Sequence, residues 1–177
     1  MNKLLLAAAL LMTAQSLHAD HLRQAQLAGD FPVFYVLGGV GQAALQKTSA
    51  EPKGVSFQAG GGFVLSKNWA IETTYTDFGG AESGANNADL TGITLGFLGL
   101  VNTGKSTAVF GRVDAVSVKL DDQKGKISPS VGFGIQHGFT HGYAARLQYQ
   151  HTFYSNKNAN ADKVQIGLIS VQAIKSF

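Results

Sequence analysis

The chain has 177 residues, with 14 Lys and Arg against 11 Asp and Glu, 22 glycines and no cysteine. A formal net charge of +3 scattered along the sequence is no nucleic-acid footprint. Without cysteine there are neither disulfides nor thiolate metal sites, and no run beyond the leader is long and apolar enough for a transmembrane helix.

The first element is MNKLLLAAALLMTAQSLHA (1–19), in which Lys3 precedes an apolar stretch from Leu4 to Met12 and Ala19 closes the segment. That is the layout of a secretory signal peptide cut after Ala19. The absence of a cysteine at the cut argues against a lipoprotein. About 158 residues remain, one domain's worth. With Lys3 gone, 13 cations face 11 anions. Residues 20–32, DHLRQAQLAGDFP, form a polar lead-in on the periplasmic side, to which no role attaches.

Period two dominates from Val33 onward. VFYVLGGVG (33–41) is the first strand. VSFQAGGGFVL (55–65) sets Val55, Phe57, Phe63 and Leu65 against Ser56 and Gln58, and WAIETTYTD (69–77) sets Trp69, Ile71 and Tyr75 against Glu72, Thr74 and Thr76. TGITLGFLGLV (91–101) aligns Ile93, Leu95, Phe97 and Val101, and VFGRVDA (109–115) opposes Val109 and Val113 to Arg112 and Asp114. SVGFGIQ (130–136) aligns Val131, Phe133 and Ile135. YAARLQYQHTF (143–153) opposes Tyr143, Leu147, Tyr149 and Phe153 to Arg146, Gln148, Gln150 and Thr152. Alternation this sustained marks strands with one apolar and one polar face. The final VQIGLISVQAIKSF alternates poorly: with Phe177 facing lipid, Val164, Ile166, Leu168 and Ile174 would face inward, and a β-bulge there would switch the faces.

These eight strands, most of nine to eleven residues, are long enough to cross a membrane when tilted. The short connections 66–68, 102–106 and 139–142 alternate strictly with the longer, polar stretches 42–54, 78–90, 117–127 and 154–163. That is the rhythm of a barrel with turns at one end and surface loops at the other. The aromatic residues sit mostly on the apolar faces and the charges Glu72, Arg112, Asp114 and Arg146 on the polar ones. A soluble barrel is apolar inside, whereas a membrane barrel is apolar outside and polar within. The expected fold is therefore all-β: an eight-stranded antiparallel up-and-down transmembrane β-barrel over 33–177. A soluble sandwich with those charges in water is the competing architecture. In the barrel, Glu72 and Arg146 each lie three residues into their strands and Arg112 about five. The four charges sum to zero at comparable height and are placed to pair in a narrow lumen.

With those residues in view, LSKNWAIETTYTDFGG (65–80) resembles the turn, second upward strand and following loop of the OmpA-like outer-membrane β-barrel domain family; Tyr75, Asp77, Phe78 and Gly79 fit its pattern. GITLGFLGL and SVGFGIQHGF are similar to the family's middle strands, and Phe177 to its terminal aromatic, which the resemblance makes an assembly signal read by the outer-membrane assembly machinery. Lys175 departs from the family, which often has an aromatic or apolar residue two before that Phe. No peptidoglycan-binding segment comes after the barrel, so cell-wall anchoring is not implied.

Several patterns invite other chemistry. GLVNTGKS (99–106) matches the phosphate loop G-x-x-x-x-G-K-[ST], with Lys105 and Ser106 in the functional places. Beyond Ser106 the chain has period two and the β-branched Thr107, Val109 and Val113, so no helix begins there and a turn is expected. Gly39 to Ala44 match the dinucleotide fingerprint G-x-G-x-x-A, but Pro52 soon interrupts any helix. His137 and His141 flank a turn without nearby acids, and read as rim residues rather than metal ligands. His151 and Ser155 invite comparison with outer-membrane lipid A deacylases, eight-stranded barrels with a His and a Ser two apart in His-Tyr-Ser-Asn. Here they are four apart, roughly 13 Å along a strand at about 3.3 Å per residue, too far for proton transfer. Lys47, Lys53, Lys119, Lys124, Lys126, Lys157 and Lys163 fall in the long stretches, where they would meet lipopolysaccharide phosphates or serve solubility alone.

The sequence thus predicts a monomeric outer-membrane barrel with no wide pore and no cofactor, in a structural or surface-interaction role among outer-membrane lipid and lipopolysaccharide. An esterase acting on lipid A is the alternative from another class, and a soluble periplasmic ligand-binding barrel is the third.

Overall fold

The computed structural model describes residues 31–46, 55–83, 86–120, 126–153 and 165–177. Eight strands succeed one another: β1 (Val33–Gln46), β2 (Ser56–Ser66), β3 (Trp69–Ser83), β4 (Asn86–Asn102), β5 (Thr107–Leu120), β6 (Lys126–Gly138), β7 (Tyr143–Phe153) and β8 (Gln165–Ser176). Each pairs antiparallel with the next, and β1 pairs with β8 from Tyr35↔Ser176 to Gln46↔Gln165, closing the barrel. Closure leaves no sheet edge, so every strand finds its backbone partners on both sides.

Strand pairing runs further than the alternation suggests. β1 continues to Gln46, and β3 and β4 extend to Ser83 and Asn86 through a stretch expected to be loop. β5 likewise reaches Leu120, and β6 begins at Lys126. Beyond the membrane both faces of a hairpin meet water, so the period-two signal fades while the hydrogen-bond ladder continues. The ladder shifts register between Val64 and Ser66 and again between Asp77 and Gly80. In the second shift Gly79 adopts φ 78° and donates its N–H to Asp77 Oδ1 at 2.9 Å. A positive φ of this kind suits glycine.

The last strand has no bulge to switch its faces. β8 pairs with β1 and β7 without a register shift, and Ile166, Leu168 and Ile174 do face inward while Phe177 faces out. They can do so because the lumen is not polar throughout. At the turn end Val33, Tyr35, Leu37, Val64, Leu98, Leu100, Phe110 and Ile174 pack together. At the loop end Ala43, Phe78, Leu90, Val116, Val118, Ile166 and Leu168 form a second apolar layer. Phe31, from the lead-in, packs against the first; residues 20–30, like the leader, lie outside the described residues.

Candidate functional site: the lumen and the outer wall

Between the apolar layers lies the charged core of the barrel. Glu72 enters from β3, Arg112 and Asp114 from β5 and Arg146 from β7, all buried. Arg112 Nη1 contacts Glu72 Oε1 at 3.0 Å, Arg146 Nη1 contacts Glu72 Oε2 at 2.6 Å, and Arg112 Nη2 lies 2.9 Å from Asp114 Oδ1. One carboxylate thus holds two guanidinium groups, and one of these holds a second carboxylate.

Further polar residues complete this set. Tyr35 Oη donates to Glu72 Oε2 at 2.9 Å. Arg112 Nη1 donates to Gln148 Oε1 at 3.1 Å, Gln150 Nε2 to Asp114 Oδ2 at 3.0 Å, and Arg146 Nη2 to Gln136 Oε1 at 3.0 Å. Gln172 Nε2 extends the chain of bonds to Gln58 Oε1 at 2.8 Å. The Arg146 guanidinium also stacks over Phe110, 5.0 Å from the ring centre, joining the network to the turn-end layer. Tyr35 is hard to find in the sequence because both faces of β1 are apolar there, with Phe34 and Val36 outside and Tyr35 and Leu37 inside. The glutamines are visible on the polar faces, but no spacing rule says which charge each will meet.

Glycines make room for these charges. Gly96 stands between Glu72 and Asp114 across the sheet, and a Cβ there would strike the Asp114 carboxylate. A Cβ at Gly62 would likewise strike the Tyr35 hydroxyl. The space left open beside Arg146 is a cavity of about 20 Å³ lined by Tyr35, Leu98, Gln136 and Ser176 among others, room for about one water.

The outer wall is the reverse. Phe57, Phe63, Trp69, Tyr75, Ile93, Leu95, Phe97, Val113, Phe133 and Tyr143 all point outward, Phe133 65 % exposed. Soluble monomers do not expose a continuous apolar surface on this scale. At the turn end Phe63, Phe34 and Phe177 form a run with ring centres 5.3 and 6.0 Å apart, and Trp69 stacks on Phe97 at 5.0 Å.

The motifs that suggest other chemistry fall into this frame. The glycine-rich run 99–106 is the end of β4 and a tight turn into β5. The amides of Thr103 and Gly104 are already given to the Thr107 carbonyl, at 3.0 and 3.3 Å, so they cannot cradle phosphate. Gly39 to Ala44 lie within β1. His137 accepts from or donates to Thr107 Oγ1 at 2.9 Å, and His141 occupies the turn Thr140–Gly142. Among the described residues no three potential metal ligands gather. His151 faces outward, its ring 4.7 Å from that of Phe153 and its Nδ1 3.3 Å from Tyr149 Oη; Ser155 lies outside the described residues.

Of the lysines assigned to loops, Lys119 is instead on β5, exposed on the outer wall near the loop end, and Lys126 opens β6 opposite Val118. The ladder reaches them because strand pairing continues beyond the membrane without needing an apolar face. Lys47, Lys53, Lys124, Lys157 and Lys163 lie outside the described residues. Phe177 is exposed beside Phe34, to whose carbonyl it donates its N–H at 3.0 Å.

An apolar wall around a polar, side-chain-filled centre defines a transmembrane β-barrel. The chain belongs to the outer membrane protein beta-barrel domain family, which matches residues 4–169, and it is a small protein of the outer membrane. No curated protein matches it in sequence. In structure it is similar to Neisserial surface protein A (TM-score 0.64, 16% identity, covering 81% of this chain and 97% of that one). It is also similar to Ail, the attachment invasion locus protein of Yersinia pestis, crystallised with the heparin analogue sucrose octasulfate (TM-score 0.57, 14% identity, 82% and 99% covered). A third likeness is to the N-terminal β-barrel domain of Pseudomonas aeruginosa OprF (TM-score 0.54, 12% identity, 81% and 97% covered).

Proposed function

We propose that this protein serves the outer membrane as a sealed structural barrel that presents its loop end to lipopolysaccharide, and that residues 1–19 export it and are removed. The carrying observation is the lumen, filled at every described level by an apolar layer, a charge network and a second apolar layer. Such a core leaves no path for a wide stream of solute. It does make a rigid wall of fixed height, the property a structural barrel needs. Lys119, exposed near the loop end, supplies a cation to the phosphates of the outer leaflet, and the sequence between the strands carries further lysines to join it. With His151 set edge-on to Phe153 on the lipid-facing wall, no described geometry favours the esterase.

The test is twofold. In planar bilayers the folded protein is expected to give no steady wide-pore conductance, and lipid A mass spectra from cells with and without it are expected to be identical. A large stable conductance overturns the sealed lumen. A lost acyl chain establishes the enzyme instead.

A further inference from the structure

Lys175 is the residue that departs from the family pattern, and it lies on the outer wall of β8 between the exposed Ala173 and Phe177. A charged side chain on the lipid-facing surface is destabilising in the hydrocarbon and tolerated near the interface. Lys175 sits at the turn end, where the run of Phe63, Phe34 and Phe177 marks that interface. Its ammonium is held in place rather than trailing in solvent. Nζ lies 4.5 Å from the centre of the Tyr143 ring and 5.7 Å from that of Phe177, and it donates to the His141 carbonyl. Two aromatic faces and one carbonyl orient the group without neutralising it. The salt bridges among the described residues all lie in the lumen, on the far side of the sheet. Of the three donors of an ammonium, one goes to a conventional acceptor, the His141 carbonyl. The Tyr143 hydroxyl is on the same half-exposed surface, and the exposed His141 ring belongs to the adjoining turn.

We propose that Lys175, with Tyr143 and the turn at His141, binds the headgroup phosphate of a phospholipid in the leaflet that meets the turn end. An ammonium makes a charge-assisted hydrogen bond to a phosphate oxygen, and the site lies on the wall against which acyl chains pack. Short turns of outer-membrane barrels lie on the periplasmic side, so the ligand is a periplasmic-leaflet lipid and the site is separate from the lipopolysaccharide-facing loops. The aromatic rings flank the acyl–glycerol boundary while the ammonium reaches the phosphate, the division of labour expected of interfacial aromatic and basic side chains.

The decisive experiment is native mass spectrometry of the chain folded in detergent, titrated with phosphatidylglycerol, with diacylglycerol of the same acyl chains, and with inorganic phosphate. Lys175→Gln is expected to weaken phosphatidylglycerol binding about tenfold, the scale of one charge-assisted hydrogen bond. Lys175→Arg is expected to retain the binding. Diacylglycerol is expected to bind weakly, and alike in the parent and Lys175→Gln. Equal phosphatidylglycerol affinity of the parent and Lys175→Gln overturns the proposal, including the case in which the variant only unfolds more easily because Lys175 closes the turn. Displacement of the lipid by inorganic phosphate that binds in its place also overturns it, making the site one for free phosphate. If Lys175→Gln fails to fold, the parent decides alone: diacylglycerol bound as tightly as phosphatidylglycerol removes any role for the phosphate.

Discussion

The middle of the lumen and its two ends are built from the same inward positions of the same strands, and they solve the filling problem in opposite ways. At the ends Leu98, Phe110, Val116 and Leu168 pack as a soluble core would. In the middle Glu72, Arg112, Asp114 and Arg146 pack as an electrically neutral cluster tied by glutamines. The apolar layers tolerate imperfection locally, since each residue contributes its own buried area. The charged layer does not, because removing one partner leaves others buried and unpaired. The ends also shut water away from the middle, which strengthens every bond in it.

This contrast can be broken in graded ways. Glu72→Ala strands two guanidinium groups and the Tyr35 hydroxyl at once, and is expected to lower stability most, by about 3–5 kcal/mol. Urea unfolding in vesicles, followed by the heat-dependent shift of a folded barrel on gels, measures it; an unchanged midpoint would show that the charges do not depend on one another. Leu98→Ala, at a residue 0 % exposed in the turn-end layer, is expected to remove about 3 kcal/mol through transfer and cavity terms. If its loss exceeds that of Glu72→Ala, the apolar layers rather than the charges dominate the lumen. Tyr35→Phe keeps the ring in the apolar layer and deletes one hydrogen bond to Glu72, so it sharpens the boundary between the two regimes. The expected loss is about 1.5–2 kcal/mol, and a value near zero would mean that the Arg112 and Arg146 contacts already satisfy the carboxylate.

Much of this architecture is legible in the sequence because a membrane barrel writes its faces in period two. Glu72, Arg112, Asp114 and Arg146 stand out as charges opposite Trp69, Val113 and Tyr143, and their strand positions place them at one height. β8 resists the same reading because a lumen polar at every level leaves its inward apolar residues without a place. Ile166, Leu168 and Ile174 then look like errors of register, when they are the parts of β8 that belong to the two apolar layers. The extension of β3 and β4 is invisible for a different reason. Strand outside the membrane needs no apolar face, so Asn86, Asn87 and Asp89 carry no signal. Lys175 shows in the sequence only as a departure; its placement between two rings depends on β7 and β8 meeting across Tyr143↔Lys175, which only the paired register supplies.

The seam between β1 and β8 joins strands from opposite ends of the barrel sequence. Its closure carries the largest loop entropy of any pairing in the molecule, and pairings of that kind are slow. Until it forms, β1 and β8 each present a bare hydrogen-bonding edge to any neighbour. At the seam, β1 turns Gly39 and Gly41 toward Gln172 and Ser170, where a Cβ would strike the β8 backbone carbonyls of Val171 and Ile169 as well as those side chains. These glycines leave the late-arriving strand a sterically open berth. A bulkier residue at either place would act on the timing of assembly, lengthening the life of the open sheet and the opportunity for two such sheets to join.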